Sequence, residues 1–193
     1  MVETFILSIT SFIGTNIDDI FINTLFFSEA KTRADNRNIV IGKYVSMGAL
    51  ILLSVLGAFG LQFLPQQYIG YLGLIPIGLG IKEIFVAITS RKTDEADETA
   101  EKSSNKTLNT ALITMANGAD NIGVYVPLFA GFTVWEILLT VCVFLILIAA
   151  WCFLGKLLAN LPVIRNAIAK YKTVIVPTVY IALGIYVLLK NLL

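Results

Sequence analysis

Six long apolar runs, separated by short polar connections, fill most of this 193-residue chain. A coil of about 20 apolar residues matches the hydrocarbon thickness of a bilayer. Lipid offers no water to satisfy backbone N–H and C=O groups, so only helices or closed barrels cross it, and runs of this length without strict alternation specify helices. The runs are 4–27, 38–62, 66–89, 107–130, 133–159 and 171–192. With 57% hydrophobic and 14% charged residues and a mean hydropathy of +0.83, the chain reads as an all-α integral membrane protein. The run 4–27 is expected to remain as a span and not to be a cleaved signal peptide, because it has Glu3 at its start, no basic leader and acids in its middle.

Between the third and fourth runs, 90–106 is rich in Asp, Glu, Lys, Ser and Thr and lacks aromatic residues, as a solvated linker does. It divides the chain into a three-helix unit, 1–89, and a second one, 107–193. Thirteen of the 14 Lys and Arg residues fall at the first, third and fifth connections, leaving Lys190 alone on the other side. Basic loops are retained in the cytoplasm, so both termini are expected outside and 90–106 inside. Charge of +1, distributed in this way, argues against nucleic-acid binding.

Three aspartates interrupt the apolar runs: Asp18 and Asp19 in the first and Asp120 in the fourth. At roughly 2.5–3.5 kcal/mol for each acid at the centre of a span, they impose about 8–10 kcal/mol unless neutralised. A cation or a proton is the simplest remedy. Hydrogen bonding between Asn and protonated Asp, as glue between helices, is the plainer one.

Six spans suggest a duplicated three-span unit, whose second copy must be inverted in the membrane. A shift of 102 residues places Asp18 on Asp120, Asp19 on Asn121, Ile20 on Ile122 and Phe27 on Phe129; a shift of 104 places Leu79-Gly80-Ile81 on Leu183-Gly184-Ile185. Asn16-Ile-Asp-Asp-Ile20 and Asn117-Gly-Ala-Asp-Asn-Ile122 are the two most polar clusters inside any run. In an inverted pair Asp18 and Asp120 differ in depth by only about 6 Å, within reach of one ion. Asn16, Asp19 and Asn23 share a helix face, and so do Asn117, Asp120 and Asn121. Asp18 is rotated by about 100° from Asp19, so both reach one ion only if the helix is locally distorted, and Gly118 and Gly123 ease such a distortion in the second cluster.

The candidate metal ligands are therefore Asp18, Asp19, Asp120, Asn121, Asn16 and Asn117, a hard set of carboxylate and amide oxygens. Histidine is absent from the chain. Cys142 and Cys152 are about 15 Å apart along one helix and cannot pair with each other; Cys142, Met47 and Met115 are candidates for a soft ligand, with packing as their plainer role. Lys82 is expected to snorkel, Trp135 to anchor at the interface, and Pro76 and Pro177 to interrupt the third and sixth spans.

Gly118-Ala-Asp-Asn-Ile-Gly-Val-Tyr-Val-Pro127, with Leu72-Gly-Leu-Ile-Pro-Ile-Gly-Leu-Gly-Ile-Lys82 and Ile41-Gly-Lys-Tyr44, closely resembles the bacterial cadmium-resistance transporter family of the lysine-exporter superfamily. The resemblance covers nearly the whole chain. It implies a plasma-membrane protein of six helices in two inverted three-helix repeats that exports divalent cations, chiefly Cd²⁺, with Asp18, Asp19, Asp120 and Asn121 in the acidic motifs. Some members have a cysteine just before the Gly-Ala-Asp-Asn run, where this chain has Asn117.

The expected function is secondary export of a divalent metal, Cd²⁺ foremost, with Zn²⁺ or Mn²⁺ as further candidates, in exchange for protons. No enzymatic activity is expected. No phosphate-binding glycine loop is present, so ATP is not the direct driver. Partners are the metal, protons and membrane lipids, with a homo-oligomer left open and no resident cofactor. An amino-acid exporter would need a cation for the substrate carboxylate, and no basic residue is expected near the midplane. A sensor or scaffold would instead work through the acidic segment 94–98.

Overall fold

Eight α-helices and no strand occur among the described residues of the computed structural model, which are 1–17, 19–61, 68, 71–89, 106–159 and 162–192. In chain order they are α1 (Val2–Asn16), α2 (Asp19–Ser28), α3 (Arg33–Leu61), α4 (Leu74–Thr89), α5 (Lys106–Asn117), α6 (Ala119–Ala130), α7 (Val134–Leu158) and α8 (Pro162–Leu192). Two of them, α3 and α7, are long and apolar enough to cross a membrane, and α1 with α2 gives a third crossing if that pair, bent by 63°, is one span. The run 107–130 is also divided, into α5 and α6. Gly118 stands at that division, and a Cβ there would lie 2.2 Å from Leu50 Cδ1, so the absence of a side chain lets α3 approach closely. Much of the linker, including the acidic segment 94–98, lies outside the described residues, as does most of 62–70.

Local chemistry sets the clearest boundaries. At α7, the Thr133 hydroxyl accepts from Glu136 N at 3.4 Å while the Glu136 carboxylate accepts from Thr133 N at 2.8 Å, a reciprocal cap typically contributing about 1 kcal/mol. Pro76 does not interrupt a helix as expected; α4 begins at Leu74, so the proline occupies the first turn, where no N–H is required. Pro177 does lie inside α8. That helix starts at Pro162, well before the expected 171, because a favourable N-terminal proline and ordinary helix formers extend it beyond the stretch that hydropathy detects.

The halves of each broken pair pack along one straight partner: α1 and α2 along α7, and α5 and α6 along α3. The remaining helices, α4 and α8, pack against each other. Their contact is reciprocal. A Cβ on Gly80 would meet Ile181 Cγ1 at 2.7 Å and Pro177 O at 2.9 Å, while one on Gly184 would meet Ile77 Cγ1 at 2.5 Å and Gly73 O at 2.4 Å. The same shift of 104 that aligns Gly80 with Gly184 carries 73 to 177 and 77 to 181. Each half of the interface thus repeats the other with the partners exchanged.

Aromatic rings hold the middle of the molecule where α1, α6 and α7 meet. Phe144 of α7 lies 5.3 Å from Phe12 and 4.7 Å from Tyr125, centroid to centroid, and Trp151 is edge-on to Phe12 at 5.4 Å. These rings clamp the first helix immediately before its break.

Candidate cation site

At the first break, α1 ends on Asn16, whose carbonyl is one of the orphan acceptors that a helix terminus leaves. The Trp151 indole N–H donates to it at 2.7 Å. The Asn16 amide nitrogen donates to Phe12 O at 2.9 Å and to the Tyr125 hydroxyl at 3.0 Å, and Thr15 and Tyr125 share a further hydroxyl bond at 2.7 Å. A side chain of the second broken pair therefore latches the first. Asp18 lies outside the described residues.

The second helix of each pair begins with its polar residues in the first turn, where the positive end of the helix dipole favours a carboxylate. Asp19 opens α2 and is 6% exposed. Its Oδ2 accepts from the ammonium of Lys43 on α3 and, at 3.5 Å, from the Asn23 amide one turn along. Lys43 is 1% exposed, and its Nζ also lies 3.5 Å from the Thr114 hydroxyl of α5.

Asp120, half-buried in the first turn of α6, accepts from the Tyr180 hydroxyl of α8 on Oδ2 and from the Asn121 backbone N–H on Oδ1 at 3.0 Å. The Asn121 amide nitrogen points at Met47 Sδ, 3.7 Å away. Asn117 closes α5, and its side chain lies outside the described residues.

Met47 follows Lys43 by one helical turn, about 6 Å along α3. Asp19 reaches that face through Lys43 and Asn121 reaches it through Met47, so the two polar clusters converge on one side of one helix. The buried oxygens Asn23 Oδ1 and Asn121 Oδ1 have no hydrogen-bond partner among the described residues, which for an amide oxygen costs about 1–3 kcal/mol unless a ligand arrives. The Asp19 carboxylate, two amide oxygens and the Met47 thioether thus gather near this face, while the adjacent Asp120 carboxylate is held by Tyr180 of α8. Among the described residues no three of His, Cys, Asp and Glu form a metal-holding group.

Lys43 is the buried charged residue that the sequence reading misplaced. Charge counting placed it among the residues flanking the first connection, but it lies ten residues into α3, about 15 Å from the helix start, with its ammonium turned inward to Asp19. That corrects two expectations. A basic residue does lie among the polar clusters, and the buried acid Asp19 already has a cation, built into the protein. The available signals were its place inside an apolar run and within Ile41-Gly-Lys-Tyr44. Cys142 and Met115 are exposed and do not contribute soft ligands here, whereas Met47 is buried at the site.

No curated protein and no solved structure matches the chain. The family model for cadmium resistance transporters matches residues 12–192. That match includes both broken helix pairs from Phe12 onward, the buried lysine and the reciprocal glycine contact, and the chain belongs to the cadmium resistance transporter family.

Proposed function

We propose that this protein exports a divalent metal cation, Cd²⁺ foremost and Zn²⁺ or Mn²⁺ as further candidates, across the bacterial plasma membrane in exchange for protons. The observation that carries the reading is the convergence of two interrupted helices, each with an acid in the first turn of its second segment and an amide within one turn of it, on the Lys43–Met47 face of α3. Discontinuous helices meeting inside the membrane are a recurring means of holding a transported ion. The ligand set is Asp18, Asp19, Asp120 and Asn121, with Asn16 and Asn117 at the helix ends behind them. The buried oxygens of Asn23 and Asn121, without a partner among the described residues, add weight to it.

The proposed frame is six spans in two inverted three-helix repeats, with both termini outside and the basic connections in the cytoplasm. The reciprocal packing of Gly80 and Gly184 supports it, since a two-fold relation makes each contact occur twice with its partners exchanged. Proton coupling follows from the cost of bare acids in lipid: a carboxylate that has no internal cation takes up a proton when it loses its metal.

Amino-acid export is a second reading, because Lys43 supplies the cation that a substrate carboxylate would need. Uptake into inverted vesicles separates the two. The proposal expects saturable Cd²⁺, Zn²⁺ or Mn²⁺ uptake driven by a pH gradient, lost in Asp120→Asn and in Asp18→Asn or Asp19→Asn. Flux of lysine or arginine without metal flux, or wild-type metal flux in all three variants, overturns it.

A further inference from the structure

We infer that Lys43 is a tethered competitor for the transported cation: it occupies Asp19 while the site is empty, and withdraws toward Thr114 when a divalent ion loads. This deepens the proposed function and rests on it. Lys43 and Asp19 are both buried, and the ammonium donates directly to one carboxylate oxygen. A divalent ion on an aspartate sits about 2.3–2.6 Å from the ligating oxygen. An ammonium hydrogen-bonded to the same carboxylate would then face two positive charges at close range in a medium that screens poorly.

The ammonium therefore has to yield its place, and there is somewhere for it to go. Thr114 Oγ1 is already 3.5 Å from Nζ, on the α5 side of the site, and its hydroxyl can accept. Thr114 precedes the second break by less than one turn, so the same motion that frees Asp19 loads Lys43 against the helix carrying Asn117. A single lysine thereby registers at one polar cluster whether the other is filled.

The consequence is kinetic as well as thermodynamic. A carrier whose acids have no internal cation would bind a divalent ion tightly and release it slowly. With Lys43 returning to Asp19, departure of the metal leaves a paired carboxylate instead of a bare one. A purely architectural ion pair has no such effect on metal affinity.

The test uses the full chain in lipid nanodiscs, with Cd²⁺ and Mn²⁺ binding measured by calorimetry at alkaline pH and flux measured in inverted vesicles. If Lys43 holds Asp19 about nine-tenths of the time in the empty protein, Lys43→Met lowers the metal Kd by about tenfold. It lowers KM and kcat together. An unchanged or raised Kd in folded Lys43→Met overturns the inference. Thr114→Val gives an independent reading, because removing the resting place should raise Kd several-fold without touching a ligand; an unchanged Kd there also overturns it. A wild-type chain that binds neither metal removes the proposed function and this inference together, whereas normal wild-type binding with unresponsive variants removes the inference alone.

Discussion

The two broken helix pairs occupy matching places in the sequence and solve the same problem differently. At the first, the deeply buried acid Asp19 is held by a full counter-charge, Lys43, with the free end of α1 tied down by Trp151. At the second, the corresponding residue is the neutral Asn121, and the neighbouring acid Asp120 is only half-buried and held by a tyrosine hydroxyl. Protein interior tolerates an acid in proportion to what meets it: complete burial calls for a cation, partial burial for a neutral donor and a helix N-terminus. The asymmetry sets the clusters apart: the first already contains a cation, whereas the second holds its acid with neutral donors.

The largest expected effect breaks the first cluster. Asp19→Asn leaves Lys43 charged and buried without its carboxylate, which should destabilise the fold by about 3–5 kcal/mol, and Asp19→Asn with Lys43→Met should recover most of that loss. Thermal unfolding in detergent of the single and double variants checks it; equal destabilisation in both would show that the pair is not the cause. The second cluster should be gentler: Asp120→Asn keeps shape and acceptor and should cost only about 1–2 kcal/mol in the same assay while abolishing flux. A stability loss as large as that of Asp19→Asn would erase the proposed contrast.

Trp151→Phe probes the first break alone. It keeps most of the ring packing but strands the Asn16 carbonyl, for an expected cost of about 1–3 kcal/mol. Hydrogen exchange should rise locally around residues 15–20, and uniform loosening would contradict a role confined to the break. The smallest effect is expected from Tyr125→Phe, which removes the hydroxyl joining the two breaks and should cost about 1 kcal/mol. A double-mutant cycle with Thr15→Val measures that link, and additive losses would mean the latch carries no coupling.

Much of this arrangement was legible before any coordinates. Apolar length marked α3 and α7, the need for Asp18 and Asp19 to reach one ion called for a distorted first helix, and Gly118 and Gly123 eased a distortion in the second cluster, where two breaks now stand. The aligned Gly80 and Gly184, read only as a sign of a repeat, lie in one reciprocal interface. What stayed hidden depends on tertiary partners. Hydropathy averages over a window and cannot tell a lysine facing lipid headgroups from one facing Asp19, so Lys43 was counted with the charges that flank the first connection. Nor does composition reveal that Trp151 caps a helix in the other half, or that Pro76 falls in a first turn rather than an interior one. Such assignments need the register of one helix against another.

Counting bound ions would test the central claim, that both clusters serve one cation, most directly. Equilibrium dialysis of Cd²⁺ against the wild-type chain, Asp19→Asn with Lys43→Met, and Asp120→Asn should give a single ion for each wild-type chain and essentially none for either altered protein. Two ions on the wild type, with each alteration removing just one, would mean separate sites and contradict the account.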